Sequence, residues 1–575
     1  MHTANYHRRA KAVFFVFFVL LLACIARLFF IQSLRSGYLA SIAQKQHNLF
    51  VELEPRRGTV YDVNLKPQAV NIAADSLFAS PVEMKEADKQ KAISKLASIL
   101  NLDQSYLKDR FLRKKSFVWI ARKITAQQSE AIKNLNIKGL GFIKETKRCY
   151  PNMYLASHII GFAGLDNSGL EGIELSCDKY LKGETGWATM LRDARQKRLD
   201  IYEKIYLPKD GYDIVLTIDE VIQYIAEREL DNAFKTYHAK GASIVVMNPY
   251  TGEILAIANR PTYDLNQYGQ VAKDSRRNRA VCDLFEPGSV FKIVTASAAL
   301  QENAVKEEDR FFCENGSYRV ANHILHDHHP QGWLTFSQVI EESSNIGTTK
   351  VAQMLGPEVV YKYVKLFGFG SKTGIDVLGE ISGMIKQPRF WSKTSIGAVP
   401  IGQEVGVTAI QLVSAVSAIA NGGQLVKPYI IKEIRDKNGE TIKKFSPVLI
   451  RQAVSPEIAA RMRKILTKVV NNGTGQLAKM EEFSSAGKTG TAQKIEASGV
   501  YSHDKFVASF IGFAPAENPA VAIVVTVDEP HPTYFGGVVS APVFKKVAEE
   551  VLKYLKVKNH PIGDMAKLNE VKRIN

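Results

Sequence analysis

The feature that most constrains this chain is an apolar run close to its N-terminus. Every residue from Ala12 to Ala26 is apolar, and beyond the single charge of Arg27 the run continues to Ile31. As a helix, about 20 residues span about 30 Å, the thickness of the hydrocarbon core of a bilayer. No comparable run follows in the 575 residues. The sequence therefore predicts a transmembrane helix at 12–34, followed by a large ectodomain.

The charges beside this run predict its orientation. Arg8, Arg9 and Lys11 precede it, and basic flanks favour the cytoplasmic side of a membrane. We expect residues 1–11 to form a cytoplasmic tail and the rest of the chain to be exported. A signal peptide cleaved near Ala26 and a lipoprotein modified at Cys24 are alternatives, but the apolar run extends past both positions.

Composition describes an ordinary globular ectodomain. The chain is 46% hydrophobic and 23% charged, which excludes a disordered or collagen-like protein. Its net charge of +17 suits either nucleic acid or an anionic envelope, and export removes nucleic acid from the expected partners. None of the five cysteines forms a C-x-x-C pair, which argues against a zinc ribbon or an iron–sulfur site. Cys149 could pair with Cys177, and Cys282 with Cys313, but spacing alone does not decide this.

The predicted pattern of strands and helices in the ectodomain changes near residue 206. Residues 41–205 combine short strands, polar helices and a glycine-rich stretch, and predict a first, mixed α/β domain. Beyond it, strands occur at both ends of a mainly helical middle, which predicts one α+β domain at 206–555, with residues 556–575 as a basic tail. The predicted strands are 214–218, 242–247, 253–258, 507–513 and 521–527, and the predicted flanking helices are 219–234 and 541–555.

Three short motifs in this second domain contain side chains that could act in catalysis. Ser289 follows Pro287-Gly288 and opens an apolar helix, with Lys292 one turn on, where it could accept the serine proton. Ser343 and Asn345 stand before a second helix, where Ser343 could relay a proton and Asn345 could bind a substrate amide. Either serine there could instead be a plain helix cap.

The third motif, Lys488-Thr489-Gly490-Thr491, predicts an edge strand. Lys488 and the threonine hydroxyls would bind a carboxylate, and Gly490 would let a substrate backbone approach and pair as an added strand. Each motif is weak alone, since the first recurs at Ser105/Lys108 and Ser485/Lys488 and the third at Lys372-Thr373-Gly374. The significance lies in their order.

That order, S-x-x-K, S-x-N and K-T-G, resembles the penicillin-binding proteins and serine β-lactamases. The surroundings resemble class B penicillin-binding proteins: Asn278-Arg279-Ala280 before the serine, and Arg57-Gly58-Thr59 and Gly169-Leu170-Glu171-Gly172-Ile173-Glu174 in the first domain. The first domain then corresponds to the family's non-catalytic, dimerisation-type pedestal. The resemblance implies a transpeptidase domain with a central antiparallel sheet flanked by helices.

The resemblance also implies a mechanism that requires no metal or organic cofactor. Ser289 would attack a D-Ala-D-Ala stem peptide while Lys292 takes its proton, and Ser343 would protonate the leaving D-Ala. The backbone N–H groups of Ser289 and Thr491 would bind the oxyanion. Lys488, Thr489 and Thr491 would hold the substrate carboxylate, beside Gly490. β-Lactams would be trapped on the same serine.

Within class B, Tyr534-Phe535-Gly536-Gly537 and Ala541-Pro542-Val543-Phe544 resemble the division-specific enzymes of the bacterial inner membrane. That resemblance implies a lipid-II-polymerising glycosyltransferase and divisome proteins as partners. An elongation-specific transpeptidase, a hydrolytic relative, and a catalytically silent scaffold or β-lactam sensor are the alternatives.

A histidine-rich loop is the most conspicuous cluster left over. It contains His323, His326, Asp327, His328 and His329, residue types that can bind zinc. Class B relatives carry a similar run before S-x-N, so we interpret it as a structural loop without metal.

Overall fold

The computed structural model describes residues 2–39, 48–192, 198–496 and 498–558. Part of the predicted pedestal (41–47 and 193–197) and the predicted basic tail from residue 559 onward lie outside the described residues. The described chain forms two compact units, the first from residues up to 56 together with 183–210, the second from 57–182 together with 211 onward.

The first unit contains the predicted apolar helix. It runs as an α-helix from His2 to Phe29 and continues as a π-helical turn, Phe30–Leu34. The segment Tyr6–Leu34 is long and apolar enough, by length and composition, to cross a membrane. The same unit contains an antiparallel sheet of three strands, Asn48–Leu53, Gly186–Arg192 and Arg198–Tyr206.

The second unit contains two larger sheets. One has seven strands, in the order Thr441–Lys444, Ile431–Arg435, Asp213–Leu216, Val60–Tyr61, Pro67–Ala79 and Val118–Ile124, with Leu140–Cys149 also pairing with Pro67–Ala79. The predicted strand near 214 therefore forms, but it pairs in parallel with Val60–Tyr61 of the first domain. The first and second domains predicted from the sequence thus share one sheet.

The other sheet is the antiparallel one that the sequence predicts. Its five strands are, in order, Ile254–Arg260, Gly241–Met247, Val521–Asp528, Tyr501–Ala514 and Ala486–Ile495. Neighbours pair antiparallel throughout. The strand with the K-T-G motif lies at the edge, as predicted, and therefore offers one row of backbone groups for pairing.

Alternating side chains of this sheet enter two separate cores, as the two-residue period of a strand requires. Ile244 and Val246 pack on one face with the helices Glu220–Thr236 and Ala541–Tyr554. Val245 and Met247 pack on the other face, in the core that contains the buried helix Ala409–Ala420. The sheet is thus covered by helices on both sides.

Several helices surround the sheet edge where the motifs meet. They are Lys292–Gln301, Phe336–Glu341, Asn345–Leu355, Pro357–Leu366 and Pro456–Asn471. Three short strand pairs also lie in the second unit: Arg310–Phe312 with Trp333–Thr335, Ser317–Val320 with His323–His326, and Gln424–Val426 with Leu449–Gln452. In the first domain, the main helices are Glu86–Leu100, Gln104–Leu112 and Ala126–Asn134.

Two of the pedestal motifs meet in a buried ion pair. Nε of Arg57 lies 2.6 Å from Oε2 of Glu174, and both side chains are fully buried. The second oxygen of Glu174 pairs with Nε of Arg148 at 2.6 Å, and Arg57 also reaches Asp178. Because buried charges are stable only when paired, this cluster joins segments more than a hundred residues apart in sequence.

Candidate active site

A glycine turn places Ser289 at the start of its helix. Gly288 has φ +58°, a conformation that favours glycine, and residues Gly288–Phe291 form a 3-10 turn that leads into the helix Lys292–Gln301. A Cβ on Gly402 would lie 2.2 Å from the carbonyl oxygen of Gly288. The turn therefore rests directly on the backbone of another loop, and Ser289 is half-buried beside it.

Lys292 is buried behind the serine. Its Nζ donates to Oδ1 of Asn345 at 2.8 Å, to Oγ of Ser343 at 3.2 Å and to the carbonyl oxygen of Ser343. Burial lowers the pKa of Lys292 to about 7, although the nearby Asp327 charge opposes the shift. A substantial fraction of this amine is therefore neutral near pH 7 and able to accept a proton.

The two serines at the S-x-N motif, Ser343 and Ser344, have different roles. Ser344 is the helix cap, because its Oγ accepts the N–H of Gly347 at 2.9 Å at the start of the helix Asn345–Leu355. Ser343 has φ +61°, a left-handed conformation that is strained for a residue other than glycine. In this conformation Ser343 presents both its carbonyl and its hydroxyl to Lys292.

Asp327 anchors this motif, a role that the sequence analysis missed. Its carboxylate accepts from Oγ of Ser344 at 2.6 Å and from the backbone N–H groups of Asn345 and Ile346 at 2.5 and 3.0 Å. The backbone carbonyl of His326 accepts from the Asn345 side chain at 2.9 Å. A lone Asp before a Ser-Ser-Asn helix start is a weak signal, because the partners are local only in the fold.

The K-T-G strand brings the second lysine to the same place. Lys488 is fully buried, and burial together with the neighbouring Lys292 lowers its pKa well below the ordinary value. Thr489 Oγ1 lies 2.8 Å from Oγ1 of Thr474, and Thr491 Oγ1 accepts the N–H of Gly536 at 3.1 Å. The two lysines and the threonine hydroxyls thus come from distant parts of the chain.

Gly490 allows a close approach within the protein itself. A Cβ at this position would lie 2.4 Å from Oγ of Ser509 and 2.8 Å from the carbonyl oxygen of Pro287. The edge strand and the turn that carries Ser289 are therefore packed backbone to backbone. This contact is a requirement additional to the predicted approach of a substrate backbone.

The other occurrences of S-x-x-K and K-T-G in the chain have structural roles. Ser105 and Lys108 lie on the pedestal helix Gln104–Leu112, and the Ser485 hydroxyl donates to the carbonyl of Ala478. Lys372-Thr373-Gly374 forms a loop, as predicted, in which Glu380 accepts from Thr373 and Gly374.

In the part of the chain that the structure describes, the histidine loop forms no metal-binding group and the cysteines form no disulfide. Among the described residues, no group of three His, Cys, Asp or Glu side chains could hold a metal ion. His328 instead packs edge-on against Phe535, with ring centroids 5.0 Å apart. All five cysteines are free, so neither of the two pairs considered from the sequence forms a disulfide.

Comparison with known proteins places this architecture in a family. Residues 242–549 match the penicillin binding protein transpeptidase domain, and residues 52–216 match the penicillin-binding protein dimerisation domain. The chain therefore belongs to the class B penicillin-binding proteins, as the sequence motifs predict. The predicted fold class, a mixed α+β chain with an apolar N-terminal helix ahead of these two domains, is likewise confirmed.

Individual relatives match over nearly the whole chain. The stage V sporulation protein D of Bacillus subtilis is 38% identical over 569 residues, 97% of this chain and 88% of the relative. The peptidoglycan D,D-transpeptidase FtsI of Escherichia coli is 31% identical over 88% of this chain and 85% of its own length. The crystal structure of penicillin binding protein 3 from Mycobacterium tuberculosis with aztreonam has a TM-score of 0.70 and 28% identity, covering 89% of this chain and 98% of that one.

Proposed function

We propose that this protein is a peptidoglycan D,D-transpeptidase that works through an acyl-enzyme on Ser289. The observation that carries the proposal is the position of Lys292: a buried amine with a pKa of about 7, held by Ser343 and Asn345 at the first turn of the helix that Ser289 opens. A serine nucleophile needs an adjacent group that can take its proton. The family and its named relatives support the substrate, a stem peptide ending in D-Ala-D-Ala.

In the acylation step, an ester C–O bond to Ser289 replaces the C–N bond to the terminal D-Ala, and one proton is transferred. Oγ of Ser289 attacks the carbonyl carbon of the penultimate D-Ala and gives its proton to Nζ of Lys292. The N–H groups of Ser289 and Thr491 bind the oxyanion, at about 3 kcal/mol per donor in other acyl-transfer enzymes. The C–N bond then breaks, and the proton passes through Ser343 to the amine of the leaving D-Ala.

Substrate binding and deacylation use the edge strand. Lys488, Thr489 and Thr491 bind the terminal carboxylate, and the peptide pairs with the strand Ala486–Ile495 beside Gly490. The amine of a second stem peptide then attacks the ester carbonyl, a new C–N bond forms as the C–O bond to Ser289 breaks, and the proton lost by the amine returns to Oγ of Ser289. A β-lactam opened by Ser289 would stay attached, because the amine it releases remains tethered to the acyl group.

A fluorescent penicillin tests the acyl-enzyme. Membranes containing the protein should show a labelled band that disappears in Ser289→Ala, while Ser105→Ala, at the recurrent motif in the pedestal, should label normally. Absence of Ser289-dependent labelling would refute the proposal. Rapid loss of the label would point instead to a hydrolase.

We also propose the finer assignments that the sequence suggests. Residues 41–205 would form the pedestal and 206–555 the transpeptidase domain. The helix at 12–34 would anchor the chain in the bacterial inner membrane, with residues 1–11 in the cytoplasm and the catalytic domain outside. Its partners would be a lipid-II-polymerising glycosyltransferase and divisome proteins.

The similarity to FtsI favours septal over lateral wall synthesis. Depletion of the protein should then block septation and give filamentous cells, scored by microscopy after repression of its gene. Swollen round cells would favour the elongation-specific alternative. Normal growth with a labelled but inactive protein would favour a scaffold or β-lactam sensor.

A further inference from the structure

The segment that leads into the Ser289 turn is attached repeatedly to one loop. We call residues 283–288 the strap and residues 402–407 the support loop. Phe285 and Val407 exchange two backbone hydrogen bonds of 3.1 and 2.9 Å, and the N–H of Gly288 donates to the carbonyl of Gly402 at 3.1 Å. The position of the nucleophile therefore depends on how the strap sits on the support loop.

One carboxyl in the strap extends this attachment to the K-T-G strand. Oε1 of Glu286 accepts the backbone N–H of Glu404 in the support loop at 2.8 Å and the hydroxyl of Tyr501 at 3.2 Å. Tyr501 pairs with Ile495 at the end of the edge strand. Glu286 thus links the nucleophile turn, the support loop and the strand that would bind substrate.

The surroundings of the second carboxyl oxygen of Glu286 favour the protonated form of the side chain. Oε2 of Glu286 is buried and has no hydrogen-bond partner among the described residues. A buried, unpaired charge costs far more than a buried neutral group. Burial, together with the neighbouring Glu404 carboxylate, raises the pKa of Glu286 to about 7, although the hydrogen bonds from Glu404 and Tyr501 oppose the shift.

The other charged groups near Glu286 are largely paired with one another. Glu286 lines a cavity of about 400 Å³ together with Lys240, Arg277, Arg279, Asp283, Lys494 and Asp528. Asp283 pairs with both arginines, and Lys494 pairs with Asp528 at 2.7 Å. Lys240 pairs with Glu529, and Glu404 accepts from Ser395. No described cation is bonded to the Glu286 carboxyl itself.

We infer that Glu286 is a positioning residue for acylation: its neutral carboxyl keeps the strap, and with it Ser289, against the support loop and the edge strand, whereas its ionisation leaves an unpaired charge on the buried Oε2 and favours release of the strap. The inference rests on the proposed function, because its readout is acylation of Ser289. Glu286 acts through the strap and need not touch the substrate.

The test is the pH dependence of acylation in the full-length protein and in Glu286→Gln. The amide keeps the size and the accepting oxygen of the side chain but cannot ionise. Titration of Lys292 and Lys488 changes the acylation rate of both proteins in the same way. The ratio of the two acylation rate constants at each pH therefore reports only the effect of Glu286 ionisation. With fluorescent penicillin, the ratio of Glu286→Gln to wild type should rise several-fold between about pH 6 and pH 9.

A second variant changes the pKa of Glu286 without replacing this residue. Tyr501→Phe removes a donor that stabilises the ionised form, so the pKa of Glu286 should rise and the alkaline decline should move to higher pH. A ratio for Glu286→Gln that does not change with pH, or an unshifted decline in Tyr501→Phe, would overturn the inference while labelling itself upheld the proposed function. If neither protein were labelled at any pH, both the inference and the proposed function would fall.

Discussion

Lys292 and Lys488 illustrate how burial lowers the pKa of a lysine side chain. Both are fully buried, and their proximity makes it costly for both to carry a charge. Lys292 has a pKa of about 7, so it can exchange a proton near neutral pH. Asp327 opposes the shift and at the same time fixes the Ser343–Asn345 segment around the amine.

Lys292→Arg should abolish the base while retaining the positive charge. Arginine stays protonated at all accessible pH values, so acylation by a β-lactam should fall by about 10²–10⁴-fold, the usual contribution of a general base. In Glu286→Gln, where ionisation of residue 286 does not oppose it, the acylation rate should rise as pH increases through about 7, because the neutral form of Lys292 is the active one. Stopped-flow measurements with a chromogenic β-lactam would check both expectations.

The control is the thermal melting of Lys292→Arg. A folded variant that acylates at nearly the wild-type rate would contradict the role of Lys292.

At the scale of elements, the site depends on an edge strand packed against a helix start. Gly490 lies where the strand Ala486–Ile495 meets the Pro287 carbonyl and the Ser509 hydroxyl. Because one strand edge remains unpaired within the sheet, the same strand can also receive an extended peptide. In the proposed mechanism, this one contact would set the positions of both the nucleophile and the substrate.

Gly490→Ala should damage the site with limited effect on the fold. The added methyl group would force the strand and the Ser289 turn apart, at a cost of about 1–3 kcal/mol for overpacking, and acylation should be strongly reduced. Gly269→Ala is a matched control, because a Cβ there meets nothing within 4 Å. Equal acylation rates in the two variants would show that the contact does not matter.

Local patterns explain which parts of this arrangement could be predicted. The strands near 242–258 and 507–527 are β-branched and bounded by turns, and they form the predicted antiparallel pairs. The pairing of Asp213–Leu216 with Val60–Tyr61 and the contacts of Asp327 could not be predicted, because they join residues by the fold and not by spacing. The left-handed conformation of Ser343 likewise has no signal in sequence.

At the scale of the whole molecule, the pedestal motifs lie beside a sheet that both domains share. Arg57 and Glu174 are fully buried, and the strand Val60–Tyr61 that follows Arg57 pairs with Asp213–Leu216, which pairs in turn with Ile431–Arg435 of the transpeptidase domain. The charge cluster therefore stabilises the region where the two domains join, at a distance in sequence from Ser289.

Arg57→Met should destabilise the protein and leave its chemistry intact. Removing one partner of a buried ion pair costs about 3–5 kcal/mol, since it leaves an unpaired charge. Denaturant unfolding should show this loss, and the fraction that remains folded should acylate at the wild-type rate. Lys89→Met, at an exposed pair with Glu86, is the control and should change stability by less than about 1 kcal/mol. Unchanged stability in Arg57→Met would contradict the structural role of the cluster.

The central claim is that Ser289 transfers a peptide to an amine. The most direct measurement incubates the purified full-length protein with a synthetic stem peptide ending in D-Ala-D-Ala and a second stem peptide that supplies the acceptor amine, and analyses the products by mass spectrometry. We expect cross-linked peptide and free D-Ala in equal amounts, both absent with Ser289→Ala. Release of D-Ala with only hydrolysed peptide, or cross-linking that survives Ser289→Ala, would contradict the account.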